Sequence, residues 1–129
     1  MYARKVFEYA TIRVVPDIER GEFLVVGVIL LCRTQRFLDA SIALDTVRLH
    51  NLAAAIDIQA IERQLSYIPL ICRGGQEAGP IGALPLYERF RWLTATRNTV
   101  IQPSPVHCGL CDEPRHMLEH LASRYCIFI

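Results

Sequence analysis

The stretch FLVVGVILLC, residues 23–32, decides the fold of this chain. It is the longest apolar run, yet it is far shorter than the ~20 residues that a membrane-spanning helix needs. Aliphatic and β-branched residues without a polar alternation are typical of a central strand that is covered on both faces. Gly27 lies inside the run, and because a glycine weakens a strand, it indicates a bulge or a close approach of another backbone segment.

Two further strand patterns flank this run. Residues 5–15, KVFEYATIRVV, are rich in β-branched and aromatic types and partly alternate, and residues 36–43 predict a third strand. The segment 16–22, PDIERGE, is typical of a turn, since Pro16-Asp17 opens it and Gly21 tolerates a positive φ. This order predicts an antiparallel meander at the N-terminus.

The second half of the chain changes to helical spacing. Asp45 and Asp57 are predicted N-caps, and Asp112 is predicted to cap the last helix. The predicted elements are helices at 46–54, 58–72, 86–95 and 113–124, extended segments at 98–102 and 106–110, and a long loop at 73–85. Strands followed by helices predict an α+β fold: a single antiparallel sheet, with a meander at the N-terminus and helices packed on one face. The length of 129 residues fits a single domain, 1–129.

Composition limits the classes of function. The apolar fraction is 52% and the mean hydropathy is +0.24, which indicates either a dense strand-rich core or an interface with a partner or a second copy. The apolar end YCIFI, 125–129, favours the interface. A net charge of +1 lacks the basic excess of nucleic-acid binding. Five cysteines without disulfide spacing, and an N-terminus without a signal-peptide pattern, predict a cytoplasmic protein with reduced thiols and no membrane segment.

One polar set lies at predicted strand ends and turns, where a fold presents side chains rigidly. Two interpretations stay open: a shared anion or partner site formed by the 16–22 turn and the 97–107 segment, or internal ion pairs that fix the turn to the sheet. The candidate binding residues are Arg13, Asp17, Arg20, Glu22, Arg97, Ser104, His107 and Asp112.

The segment 100–114, VIQPSPVHCGLCDEP, contains a Cys-x-x-Cys pair. A zinc site would use His107, Cys108, Cys111 and His116. All four lie within ten residues rather than on two separated knuckles, so a loop with two reduced cysteines is the commoner outcome. A redox pair at Cys108 and Cys111 and a Ser104–His107 nucleophile and base are further alternatives. No metal or other cofactor is predicted.

The stretches YATIRVVPDIERGEFLVVGVILL (9–31) and GPIGALPLYERFRWLTATRNTVIQPSPVHCGL (79–110), with the following Asp112-Glu113-Pro114, resemble a bacterial family, the domain of unknown function 3037. The family has no established activity. The resemblance implies at most a partnership with a HipA-like kinase in a toxin–antitoxin-like gene pair. It also implies that His107 and Asp112 recur, while Cys108 and Cys111 replace small residues.

The sequence favours a small cytoplasmic, non-enzymatic binding or regulatory protein with a protein partner or a second copy. The alternative is an enzyme that acts on a phosphate-bearing or nucleotide substrate through Arg97, His107 and a carboxylate from Asp17, Glu22 or Asp112. Nucleic-acid binding is the weakest alternative. It would use a basic face around Arg89, Arg91 and Arg97 beside Trp92, although the helical stripe of 86–95 explains the same residues as a buried face with solvated arginines.

Overall fold

A computed structural model describes residues 4–125 of the chain, so all but Tyr125 of the apolar end at 125–129 lies outside the described residues. The elements follow in the order β1 (Lys5–Val14), β2 (Leu24–Cys32), β3 (Phe37–Ile42), α1 (Thr46–Leu52), α2 (Ile58–Arg73), α3 (Leu86–Leu93), β4 (Ile101–Pro103), β5 (His107–Cys111) and α4 (Pro114–Tyr125). The predicted loop at 73–85 is wrong in part, since Gln76–Ala83 forms 3₁₀ turns on either side of a kink at Gly79.

One five-stranded antiparallel sheet organises these elements, in the order β3-β2-β1 with β4 and β5 both paired to the free edge of β1. β5 pairs with the first half of β1, from Lys5 to Tyr9, and β4 pairs with the second half, from Ile12 to Val14. The predicted α+β class, the single antiparallel sheet and the N-terminal meander are therefore confirmed.

The glycine inside the central strand has the role that the sequence indicates. The register between β1 and β2 shifts between Ile12 and Arg13, so β2 carries one extra residue there. A Cβ atom at Gly27 would lie 2.7 Å from the Ser41 carbonyl oxygen of β3. Both the bulge and the close backbone approach are thus present at this position.

The prediction that the helices pack on one face is wrong, because both faces of the sheet are covered. Ile29 and Leu31 of β2 belong to the core beneath α2 and α3, whereas Val28 and Leu30 belong to a second core beneath α4. Neighbouring residues of a strand point to opposite faces, so an entirely apolar β2 requires a cover on each side. We refer to these faces as the α2/α3 face and the α4 face.

The helix starts follow capping chemistry. Asp45 and Asp57 are confirmed as N-caps, since each carboxylate accepts a backbone N–H three residues on, from Arg48 and Ala60, at 3.1 Å. Asp112 does not cap α4; Glu113 accepts the N–H groups at the start of that helix instead. Among residues 4–125, no helix is of a length and apolarity sufficient to cross a bilayer.

Candidate functional site

The turn between β1 and β2 is held by its own residues. The Asp17 carboxylate accepts the Glu19 N–H at 3.1 Å, Gly21 adopts a φ of 74°, and Arg20 pairs with Glu22. The turn borders a shallow hollow of about 220 Å³ whose other wall is Leu52 and Ala53, at the C-terminal end of α1. The hollow is therefore lined by the end of α1 and not by the 97–107 segment.

Arg13 lies in the sheet and not at the turn. It is paired with Val25 of β2 and Gln102 of β4, and its guanidinium stacks 4.3 Å from the centre of the Phe23 ring. Its Nε is buried and has no hydrogen-bond partner among the described residues. The Arg13 side chain therefore packs mainly against Phe23.

Arg97 closes the C-terminal end of α3. Its Nη1 donates to the Leu93 carbonyl at 3.0 Å, its Nη2 donates to the Trp92 carbonyl at 2.6 Å, and its guanidinium lies 4.6 Å from the centre of the Trp92 ring. A cation is favourable here because the last carbonyls of a helix have no helical donor. Burial lowers the pKa of Arg97 from its ordinary value by disfavouring the charged form.

Ser104 joins β4 to β5 and is only 4% exposed. Its Oγ accepts the Thr11 N–H at 2.8 Å and donates to the Pro105 carbonyl at 2.9 Å, while its own N–H donates to the Thr11 carbonyl. Between β4 and β5 the backbone pairing with β1 is interrupted, and the Ser104 hydroxyl there takes the place of a backbone carbonyl. Neither partner of this hydroxyl is His107, so the structure does not form the Ser104–His107 pair.

His107 lies on the α4 face, whereas Arg97 lies on the α2/α3 face. The imidazole sits 5.3 Å from the Tyr9 ring, and the Tyr9 hydroxyl shares a hydrogen bond of 3.1 Å with the Tyr125 hydroxyl. That hydrogen bond and burial raise the pKa of Tyr9. The sheet therefore separates Arg97 from His107, the two residues on which the enzyme alternative depends. Asp112, a candidate carboxylate of that alternative, pairs with Arg4 at 3.9 Å.

The two cysteines of the Cys-x-x-Cys pair point to opposite faces. Cys111 lies opposite Lys5 and is buried in the core beneath α4, whereas Cys108 lies opposite Glu8 and is exposed. The imidazole of His116 faces Glu113 at 3.7 Å. The ligands of the zinc alternative therefore do not converge, and no cluster of three or more potential ligands occurs within residues 4–125.

The arginines of α3 divide between structure and solvent. Arg89 donates through Nη1 to the Ile71 and Cys72 carbonyls at 2.9 and 2.6 Å, and through Nε to the Leu84 carbonyl at 3.0 Å. It thus closes the end of α2 and fixes the glycine-rich segment beside it. Arg91 is exposed and lies 5.9 Å from the Tyr87 ring. Of the three arginines of the nucleic-acid alternative, Arg89 and Arg97 therefore donate to carbonyls at helix ends, and Arg91 is exposed.

Two features escaped the sequence reasoning. The first is an exposed apolar pair, Val6 at 58% on β1 and Leu110 at 53% on the edge strand β5. The second is a cavity of about 490 Å³ between α2, α3 and the sheet, into which Arg97 projects. The alternation of apolar and polar residues at 106–110 could have predicted the exposed apolar pair. The cavity depends on how the glycine-rich 3₁₀ segment packs, and the sequence pattern does not predict that packing.

The chain is a single-sheet α+β protein in which most of the polar residues singled out from the sequence hold turns, strand breaks and helix ends together. It belongs to the family described as Protein of unknown function (DUF3037), which matches residues 9–126. Comparison with curated proteins gave no match, and comparison with solved structures gave none either.

Proposed function

We propose that this protein is a small, non-enzymatic regulatory protein of the cytoplasm that acts by binding a protein partner along β5. The observation that carries the proposal is an exposed apolar pair beside an unpaired sheet edge. We define the β5 surface as Val6, Val106, Cys108, Leu110 and the outer backbone edge of β5.

The β5 surface has an apolar centre. Val6 and Leu110 are cross-strand neighbours on the α2/α3 face, and both are more than half exposed because the helices do not extend over this end of the sheet. Val106, just before the strand, is 41% exposed. Arg4 and Asp112 form an ion pair at one end, which gives the patch the polar rim found around many protein interfaces.

The edge of β5 is open to a further strand. No described residue pairs with its outer side, so alternate backbone N–H and C=O groups point away from the sheet. Proteins usually protect such an edge with lysines, prolines or bulges. The sequence of β5, HCGLC, contains no charged residue and no proline. An extended segment of a partner protein could form hydrogen bonds with the outer N–H and C=O groups of β5 and could also contact the exposed apolar pair. This mode of binding is strand addition.

The thiols support the cytoplasmic part of the proposal. Cys32, Cys72, Cys108 and Cys111 are all free, as is usual in a reducing compartment. The family resemblance suggests a HipA-like kinase as the first partner to test.

The test is native mass spectrometry of the purified protein with the HipA-like kinase of its source cell, in parallel with pull-down from that cell. A complex of fixed stoichiometry is expected for the wild type. Leu110→Asp is expected to weaken it by at least about tenfold, because a charge would be buried without a partner. Val47→Asp is the matched control, since Val47 is 69% exposed and lies on α1.

Hydrogen exchange distinguishes strand addition from other contacts. The amides of His107–Cys111 are expected to exchange more slowly in the complex than in the free protein. A complex that survives Leu110→Asp, or one that leaves these amides unprotected, would contradict the proposed surface. A dimer of this chain that Leu110→Asp dissociates would show that the surface serves self-association, and the proposal of a different partner would fail.

A further inference from the structure

The cavity between the helices and the sheet has an apolar body. Ile12 and Ile29 form its floor on the sheet, Ile68 and Ile71 line it from α2, and Leu93 lines it from α3. Its volume of about 490 Å³ is in the range of small-molecule sites, which are mostly apolar with a few polar groups that orient the ligand.

Among the described residues, Arg97 is the only charged one that lines this cavity, and the other polar groups are neutral: Gln64, Tyr67, Thr99 and Gln102. Within residues 4–125, Arg97 forms no ion pair with an acidic side chain. A partly buried cation against an apolar wall, without a carboxylate to balance it, favours an anion from outside the chain.

The hydrogen bonds of Arg97 leave one edge of the guanidinium available. Nη1 donates to Leu93 and, at 3.5 Å, to Ala95, and Nη2 donates to Trp92. A guanidinium has five N–H donors. These bonds use Nη1 and one Nη2 hydrogen, and the Nε–H and one Nη2 hydrogen have no acceptor among the described residues. The side edge of a guanidinium consists of the Nε–H and an Nη2 hydrogen. Two parallel donors of this kind match the two oxygens of a carboxylate.

We propose that this cavity binds a medium-chain organic monocarboxylate, with the carboxylate on the side edge of Arg97 and the hydrocarbon chain against the isoleucines. A hydrocarbon chain suits this lining, since small-molecule sites of this volume are mostly apolar. This site is separate from the β5 surface, so the inference does not depend on the proposed function.

Trp92 provides the readout. It is the single tryptophan of the chain, it lines the cavity, and its ring stacks on Arg97. Sodium decanoate is the probe and 1-decanol is the neutral analogue, titrated at pH 7, where the carboxylate is ionised. We expect a saturable change in Trp92 fluorescence with decanoate, and an affinity for decanol lower by at least about tenfold, since only the anion gains charge-assisted hydrogen bonds.

Two variants separate the binding site from the stability of the fold. Arg97→Gln is expected to bind decanoate at least about tenfold more weakly, approaching the affinity for decanol. Because Arg97 also closes α3, a second variant leaves it in place: Ile68→Phe fills the cavity and is expected to abolish the titration while the thermal midpoint stays within a few degrees. Arg91→Gln, an exposed arginine of the same helix, is the control that binds normally.

The inference fails on any of three results. The first is the absence of a saturable response in the wild type. The second is equal affinity for decanoate and decanol, and the third is unchanged binding in a folded Ile68→Phe variant.

Discussion

At the scale of single residues, Ser104 shows how a polar side chain can resemble a catalytic group and yet serve the backbone. It lies between two prolines three residues from a histidine, a spacing that suggests a nucleophile and its base. Its hydroxyl instead accepts the N–H of Thr11, which is itself only 4% exposed. The pairing along β1 is interrupted between β4 and β5, and the Ser104 hydroxyl supplies the acceptor for the Thr11 N–H there.

Ser104→Ala is expected to lower the free energy of unfolding by ~1–3 kcal/mol, because a buried N–H would lose its acceptor. Urea denaturation monitored by Trp92 fluorescence measures this change. Ser123→Ala is the control, since the Ser123 hydroxyl donates to a carbonyl on the exposed side of α4 and its removal should cost well under ~1 kcal/mol. Unchanged stability in Ser104→Ala would contradict the structural role.

At the scale of elements, the helix ends supply partners for many of the charged residues of this chain. Arg89 closes α2, Arg97 closes α3, and Glu113 caps α4. Arg115 then fixes α4 to β3 through an ion pair of 2.7 Å with Asp39. The sequence shows the charges but not their partners, since only the folded chain brings Arg89 to the Ile71 and Cys72 carbonyls and Arg115 to the Asp39 carboxylate.

The cap of α4 makes its stability depend on pH. The Glu113 carboxylate accepts the N–H groups of His116 at 2.9 Å and Arg115 at 3.1 Å, and these bonds hold its pKa below the ordinary value because they stabilise the charged form. A group whose pKa is lowered on folding stabilises the fold above its unfolded pKa. That stabilisation is lost as the pH falls through the folded pKa.

Glu113→Gln is therefore expected to lower the thermal midpoint at pH 7. The difference from the wild type should begin to close as the pH falls below the ordinary glutamate pKa of about 4.3, and should vanish below the lowered folded pKa, where the wild-type carboxyl is also neutral. Thermal melts followed by circular dichroism between pH 2.5 and 7 measure the difference in thermal midpoint between the variant and the wild type. Glu119→Gln, farther along α4, controls for the loss of a charge. A gap that is constant across this range would show that the cap does not act through its charge.

The starts of α1 and α2 followed from local patterns, whereas the bounds of β4, predicted at 98–102 and found at Ile101–Pro103, and the arrangement of the helices did not. Asp45 and Asp57 are recognisable caps because the bond they form lies within three residues. The strand pattern of residues 23–32 even required a cover on both faces. Which helix covers the second face depends on contacts between residues that are distant in the chain. α4 lies on the sheet because β5, which precedes it, pairs with β1.

At the scale of the whole molecule, the two covered faces separate the cysteines. Cys72 lies in the core beneath α2 and α3, Cys32 and Cys111 lie in the core beneath α4, and Cys108 is exposed on β5. Burial raises the pKa of Cys72 to about 12 and also raises the pKa of Cys111, because a thiolate is poorly solvated there. The reactivity of each of the four thiols therefore depends on the part of the fold in which it lies.

Alkylation with N-ethylmaleimide at pH 7.5 is expected to modify Cys108 first among the four described cysteines, with the three buried thiols slower by at least about a hundredfold. Peptide mapping by mass spectrometry at a series of times measures the order. The same reaction in urea, where all four should react at similar rates, is the control. Rapid modification of Cys32 or Cys111 in the native protein would contradict the packing of α4 over the sheet.

The candidate sites depend on the whole fold more strongly than the elements do. The residues of the polar set were recognisable as a group only by their positions at strand ends, and the sheet then placed Arg97 and His107 on opposite faces. The alternation of faces along β5 likewise separated Cys108 from Cys111. Conversely, the cavity beside Arg97 and the exposed Val6–Leu110 pair arise from segments that are distant in the chain.

The pairing of β1 on both edges has a consequence for biosynthesis. One edge meets β2 within a few residues, but the other meets β4 and β5 only after roughly 100 further residues, a separation that slows folding. While the chain is being made, the ribosome thus releases a strand whose second edge stays bare until the last part of the protein emerges. An unpaired edge of this kind promotes aggregation. A truncated or stalled product should therefore need a chaperone more than the full-length chain does.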